Sequence, residues 1–426
     1  MIVAILVFFV TLIVGMPIAF VLALTGIMHI FTMDPSYFTV IPQRMFAGIN
    51  VTSLTCIPFF IVAGELMNGG GVTKRLLDFV REVVGAISGG LAYATVFTAM
   101  ILSAILGSAN AVASILCSVL IPDMKRDGYK PEFAGALIAA SGVLGPIIPP
   151  STTFVYYSVL SGASIKGLFM AGIIPGVLIG LSYCVVIALY VRKYKPPKAI
   201  DSINLRRLGK SFFVALPALL VPFVIVGGVM GGVFTPTESG AVACVIAVAA
   251  GFIYRSLNVR EIPQMLLRAG MASSAIMFII ACGNIVGWSM AVGKVPQMAT
   301  DAILSVTTDK NLVIAIMLIL MVIIGCLMEA TAAMLIFTPV MLSLTTAIGM
   351  DPLHFGLIFC VMMVIALITP PVGMTLFVTA NISGIELTKI AKAVLPFCVA
   401  AIGVVVLLSY VPEIVLFLPR VFLGYK

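Results

Sequence analysis

Four short stretches of this chain hold the residue types that could do chemistry. Two are Gly107-Ser-Ala-Asn110 and Met328-Glu-Ala-Thr331; the other two are Gly145-Pro-Ile-Ile-Pro-Pro-Ser151, followed by Thr152, and Thr369-Pro-Pro-Val-Gly-Met-Thr375. Each sits inside an apolar segment. Proline lacks an N–H and clashes with the preceding turn, so an α-helix cannot run through the Pro-Pro stretches. In hydrocarbon, backbone that leaves the helix must be buried in protein or line a site. A half-helix N-terminus offers free N–H groups and partial positive charge, which suits a carboxylate. Half-helix C-termini and unwound carbonyls offer oxygen ligands to a hard cation such as Na⁺. The chemistry expected here is the binding of a small anion together with cations.

On this reading one Na⁺ lies between the first tip (Ser108, Asn110) and the break at Gly145, Ile148 and Pro150. A second lies between the other tip (Glu329, Thr331) and Thr369, Val372 and Met374. The anionic substrate sits between them, within reach of Ser108, Asn110, Ser151, Thr152, Thr331 and Thr375. Two roles stay open for Glu329: a cation ligand, as expected of a carboxyl in an apolar segment, or a cap on the half-helix that follows it. Small-residue helix packing is the competing explanation for the first tip, and recurrence of the motif favours binding.

The recurrence has a fixed spacing. Pro149-Pro150 reappears as Pro370-Pro371, 221 positions on, and the same offset pairs Gly128 with Gly349, Pro131 with Pro352, Gly135 with Gly356 and Ser108 with Glu329. An offset of 219 pairs Pro17 with Pro236 and Gly64 with Gly283. One fold unit is used twice, and paired interrupted helices in corresponding halves mark a transporter's binding site.

Composition agrees. Of 426 residues 62% are hydrophobic and 9% charged, which excludes a soluble domain. The net charge of +8 marks topology, with no nucleic-acid partner implied. The apolar pattern predicts spans at 2–32 (bent at Gly15-Met-Pro17), 52–68, 166–191, 211–230, 238–254, 267–292 and 393–418. Between them it predicts polar arms at 73–86 and 294–310, re-entrant hairpins at 88–121 and 311–347, and broken helices at 131–160 and 352–382. The fold class is an all-α polytopic membrane protein with two units, 1–193 and 235–426, joined by a basic linker and connecting helix at 194–234. Placing the linker (Arg192 to Lys210) in the cytoplasm puts 18 of the 24 basic residues inside, leaving Arg44, Lys166, Lys294, Lys310, Arg420 and Lys426 outside. The first hairpin then opens from the cytoplasm and the second from outside, an inverted repeat.

The remaining polar residues have structural explanations. The eight cysteines lie in apolar runs with no C-x-x-C pair, as buried small hydrophobes do. Thr235-Pro-Thr-Glu238 reads as a capping box, Glu65 as a span-end residue, and Trp288 as an interfacial anchor. His29 and His354 are isolated, and no metalloenzyme or nucleotide-binding motif is present.

At these residues the chain resembles the large membrane (M, DctM-like) subunit of tripartite ATP-independent periplasmic (TRAP) transporters. The most specific points are Gly15-Met-Pro17, Ile57-Pro-Phe-Phe60 with Ala63-Gly-Glu65, Gly107-Ser-Ala-Asn110, Gly145-Pro-Ile-Ile-Pro-Pro-Ser151, Phe234-Thr-Pro-Thr-Glu238 and Thr369-Pro-Pro371. The resemblance covers essentially the whole chain. It implies an ion-transporter-type elevator fold in the bacterial inner membrane. It also implies uptake of an organic acid of the sialic acid or C4-dicarboxylate type, with Na⁺ as coupling ion and no covalently bound cofactor. The implied partners are a periplasmic substrate-binding (P) protein, a small membrane (Q) subunit expected as a separate chain, and membrane lipid. The competing class is a stand-alone Na⁺/carboxylate or anion symporter that needs no binding protein. An intramembrane enzyme lacks a nucleophile–base pair in this sequence, and a passive channel has no need of paired hairpins.

Overall fold

The computed structural model describes residues 2–200 and 204–425; Lys426, counted in the charge reading, lies outside the described residues. The described chain is helical throughout its ordered elements. The first half contains α1 (Ile2–Ile13), α2 (Ile18–Met33), α3 (Val40–Ile49), α4 (Cys56–Gly69) and the arm α5 (Val72–Val84). The hairpin α6 (Gly90–Leu106)/α7 (Ala109–Arg126), the broken pair α8 (Pro131–Gly142)/α9 (Thr152–Ser161) and the long α10 (Ile165–Tyr194) complete it. After the connecting helix α11 (Leu205–Met230) come α12 (Pro236–Ile253), α13 (Ile262–Val292) and the arm α14 (Val295–Leu304). The hairpin α15 (Lys310–Leu327)/α16 (Ala330–Ala347), the broken pair α17 (Pro352–Ile365)/α18 (Met374–Ser383), α19 (Leu387–Tyr410) and α20 (Pro412–Leu423) follow. Among the described residues six helices are long and apolar enough to cross a membrane, or seven if the pair bent by 56° at residues 50–51 counts as one span.

The sequence spacing reappears in the element bounds. Both second hairpin arms have 18 residues, and α7 begins 221 positions before α16. The broken helices α8 and α17 each open with Pro at their first position, and Pro149-Pro150 and Pro370-Pro371 are both cis. Gly128 and Gly349, at the same offset, both take positive φ. The packing is reciprocal as well: α4 lies on α12 as α2 lies on α13, α8 on α19 as α17 on α10, and α7 on α18 as α16 on α9.

The core lies at the broken helices. Every residue of α17 from Leu353 to Ile365 is buried, as is α8 from Phe133 to Gly142; a helix apolar on all sides is stable only when surrounded. Where α9 meets α17, the Tyr157 ring lies against Gly356 and its hydroxyl donates to the Pro352 carbonyl at 3.0 Å. The outer helices keep broad apolar faces, such as Phe213 and Phe223 on α11, suited to lipid. The arm α5 is amphipathic as its sequence predicts, burying Val72, Leu76, Leu77 and Val80.

The structure corrects two span assignments. Residues 2–32 are not one bent span: Gly15 takes φ +83° and Pro17 has no N–H, so the ladder ends, and α1 folds back to bring Phe8 against Ala19 and Leu22. The closing span 393–418 divides at Val411, with Pro412 opening α20. The polar stretch after Asp34 forms a short 3₁₀ turn and α3, which packs on α13 with Gly48 against Asn284. Other expectations are met. Thr235 and Glu238 form the capping box, and the eight cysteines are free, five of them buried. Trp288 packs edge-on with Tyr37 beneath Arg44.

The α9–α17 contact gives a direct test. A Cβ at Gly356 would lie 2.0 Å from Tyr157 Cε1, so Gly356→Ala is expected to destabilise the protein by about 1–3 kcal/mol. Gly403→Ala, with nothing within 4 Å, should leave thermal unfolding unchanged or raise its midpoint. Equal midpoints for the two variants, measured in detergent, contradict this packing.

Candidate functional site

The two hairpin tips differ in how they turn. At the first, α6 ends on Gly107 at φ +58°, and Ser108 is extended before α7 starts. At the second, Met328 and Glu329 are both extended, and the Glu329 carboxylate accepts from the backbone of Thr331 at 2.9 Å and Ala332 at 3.2 Å. Its other oxygen accepts from the Thr331 hydroxyl at 3.0 Å. Of the two roles left open for Glu329, the structure displays the cap.

The first tip is pressed onto the first break. A Cβ at Gly145 would lie 3.0 Å from the Ser108 carbonyl, and one at Gly142 would lie 2.9 Å from that of Ala109. Glycine at these positions lets two stretches of backbone meet. The Thr152 hydroxyl donates to the Gly107 carbonyl at 3.1 Å, supplying a partner to backbone that has left the helix. Ser151 caps α9 by accepting from Phe154 N at 3.2 Å and donates its own proton to the Pro146 carbonyl. The first tip also reaches the other half of the chain: the Thr375 hydroxyl on α18 donates to Asn110 Oδ1 at 2.9 Å.

Both tips face one cavity of about 510 Å³. Its wall includes Ser108 and Asn110 from the first tip, Glu329 and Thr331 from the second, and Thr152 and Tyr156 from α9. Glu65 and Asn68 on α4 and Ile276 on α13 close the far side. Glu65 is held at 3.1 Å by Arg268 of α13, tying the two halves at the cavity edge.

Of the residues singled out by sequence, Ser108, Asn110, Thr152, Glu329 and Thr331 therefore share the cavity wall. Gly145, Ile148 and Pro150 stand behind the first tip without reaching the wall. Ser151 and Thr375 are fully buried; Thr375 acts on the cavity only through Asn110. Thr369 turns its hydroxyl to the Ile365 carbonyl at 3.1 Å. Val372 and Met374 are about 40% exposed and do not join Glu329 and Thr331 in the cavity. Sequence reasoning missed Tyr156 and Asn68. Tyr156 was findable, because it follows Thr152 by four residues and so shares its helix face; Asn68 carries no comparable signal.

A many-span helical protein with two interrupted helices and two hairpin tips around a cavity bearing Ser, Thr, Asn and Glu side chains has the architecture of a membrane transport protein. Residues 5–414 match the family model described as tripartite ATP-independent periplasmic transporter, DctM component, and the chain belongs to that family. It is 37% identical over 407 residues to the isethionate TRAP transporter permease protein DctMQ of Oleidesulfovibrio alaskensis, covering 95% of this chain and 64% of that longer one. It is 36% identical to the C4-dicarboxylate TRAP transporter large permease protein DctM of Pseudomonas aeruginosa, over 94% of this chain and 93% of the relative. Its fold is similar to the YdaH transporter of Alcanivorax borkumensis, with a TM-score of 0.65 at 13% identity over 89% of this chain and 90% of that one. The protein is thus a DctM-type permease component of a TRAP transporter, an integral inner-membrane protein rather than an enzyme.

The cross-chain bond at the first tip yields a second test. Thr375→Val keeps the shape and removes the donor to Asn110, a loss of about 1 kcal/mol. Amide hydrogen exchange at residues 105–112 should quicken about fivefold, with slower transport. Unchanged exchange at the tip contradicts the bond's role.

Proposed function

We propose that this chain is the translocating subunit of a Na⁺-coupled elevator that takes up an organic acid delivered by a periplasmic (P) binding protein, with a small (Q) membrane subunit as partner. The observation that carries the reading is the convergence of both hairpin tips on one cavity, whose wall carries Ser108, Asn110, Glu329 and Thr331. The acid sits against Ser108, Asn110, Thr152 and Thr331, with Ser151 holding the backbone of the first break and Thr375 holding the Asn110 amide. One Na⁺ is placed at the first tip, among Ser108, Asn110 and the carbonyl-rich break at Gly145, Ile148 and Pro150. We place a second between Glu329 and Thr331 of the second tip and Thr369, Val372 and Met374 of the second break.

The two units, 1–193 and 235–426, are read as an inverted repeat joined through 194–234. In this account the hairpins and broken helices travel together against a scaffold of α2, α4, α12 and α13. Glycines at the boundary support it: Gly64 of α4 lies against Leu106 and Gly283 of α13 against Leu335, contacts with no side chain on the scaffold side to interlock.

Uptake into proteoliposomes tests the proposal, with the P protein and Q subunit added or omitted and with Na⁺ or K⁺ outside. The expected result is uptake that requires Na⁺ and the P protein and falls at least about tenfold in folded Asn110→Ala and Thr369→Ala. Equal uptake without the P protein assigns the chain to the stand-alone symporters. Indifference to Na⁺ and to both substitutions removes the tip sites.

A further inference from the structure

Glu65 belongs to a motif that the proposed function leaves unused. It stands in the cavity wall and accepts from Arg268 Nε at 3.1 Å. Arg268 continues a stripe of that wall. Ala272, Ile276 and Ile279 of α13 line the cavity, and Arg268 lies one turn before Ala272 on the same helix face. Ile61, Glu65 and Asn68 form a second lining stripe on α4.

Exposure along both stripes rises in one direction. Ile279 and Ile276 are half-buried, whereas Ala272 and Arg268 are exposed; Ile61 and Glu65 are half-buried, whereas Asn68 is exposed. Both exposed ends lie where α4 finishes and α13 starts, since a Cβ at Gly69 would lie 2.1 Å from Met265 Cε. The loops at this end carry Lys74, Arg75, Arg255 and Arg260, which the charge reading places in the cytoplasm. The cavity has its mouth here, and Glu65, Asn68 and Arg268 along it suit water, where lipid would demand apolar side chains.

An anion leaving by this mouth passes the Glu65 carboxylate, which by itself repels it. Arg268 reverses that. Among the described residues its only hydrogen bond to protein is from Nε, and its side chain is 52% exposed. The two terminal nitrogens are left for an acid group, which a guanidinium binds as a fork. Arg75, at the same end of α4, is occupied by the carbonyls of Gly71 and Tyr254 at 2.8 and 3.1 Å.

We infer that Arg268 receives the organic anion at the cytoplasmic mouth of the cavity, and that Glu65 is the positioning residue that holds Arg268 there. The inference rests on the cavity being the substrate site and goes beyond it in naming the exit and the cation that serves it.

Thiol labelling in membrane vesicles provides the test. Ile276→Cys, in a background lacking the native cysteines, puts a thiol inside the cavity. It is exposed to anionic sulfonatoethyl methanethiosulfonate or to the neutral hydroxyethyl reagent, from either membrane face. Both reagents are expected to label it from the cytoplasmic face. Arg268→Gln should slow the anionic reagent about tenfold and leave the neutral one unchanged. Glu65→Gln, which keeps the cation, should label with the anionic reagent at least as fast as the parent. The double variant should stay below the parent by about threefold. An unchanged anionic rate in Arg268→Gln overturns the inference. An equal loss for both reagents also does, because it makes the pair a plain staple between α4 and α13. So does a parental rate in the double variant, because Arg268 then only cancels Glu65. Neutral labelling from the periplasmic face alone overturns the exit and leaves the cavity reading intact. No labelling by either reagent from either face overturns the cavity reading and the inference with it.

Discussion

The structure depends on one constraint: backbone that leaves the helix inside an apolar protein must find its hydrogen-bond partners within the chain. Here the interruptions satisfy one another. The first tip gives its Gly107 carbonyl to Thr152 of the first break and its Asn110 amide oxygen to Thr375 beyond the second. The second tip binds its own first turn through Glu329. Each hairpin's second arm also packs on the other half's broken helix, so the two halves meet at their interruptions. The cavity is the space these partnerships leave open, and it lies between the halves for the same reason.

The helices that carry this arrangement are of two physical kinds. The broken helices α8 and α17 are enclosed on all sides, so their tolerance of substitution is set by packing, as where Gly356 meets Tyr157. The outer helices keep apolar faces whose chemistry is satisfied by lipid. Between them run close approaches at Gly64 and Gly283, where a backbone without a side chain meets a leucine. A rigid inner group against a smooth boundary is the mechanical requirement for a body that moves as a unit.

Much of this was legible in the sequence, for stated reasons. Proline and glycine act locally, so Pro149-Pro150, Pro370-Pro371 and the glycines at matched offsets revealed both breaks and the repeat. Long apolar runs marked the spans, and Thr235 and Glu238 announced their capping box by spacing alone. What failed was what depends on direction. Gly15 was visible, but its φ of +83°, which turns α1 back on α2, is set by tertiary packing. The same holds for the site: the hydroxyl and amide residues of the tips were readable, whereas the Asn110–Thr375 bond across 265 positions was not. Glu65 read as a span-end residue because its partner, Arg268, is 203 positions away.

The central claim is that the first tip and the opposite broken helix act as one body, so that a single site is shared by both halves. Cys117 on α7 lies beside Thr379 on α18. In a background lacking the other cysteines, Thr379→Cys allows these two residues to be joined by a disulfide and released by reductant. The account predicts that the joined protein transports at close to the reduced protein's rate, because the link spans parts that never separate. Loss of transport on joining, restored on reduction, would show that the tip and the opposite break must part during the cycle and would contradict it.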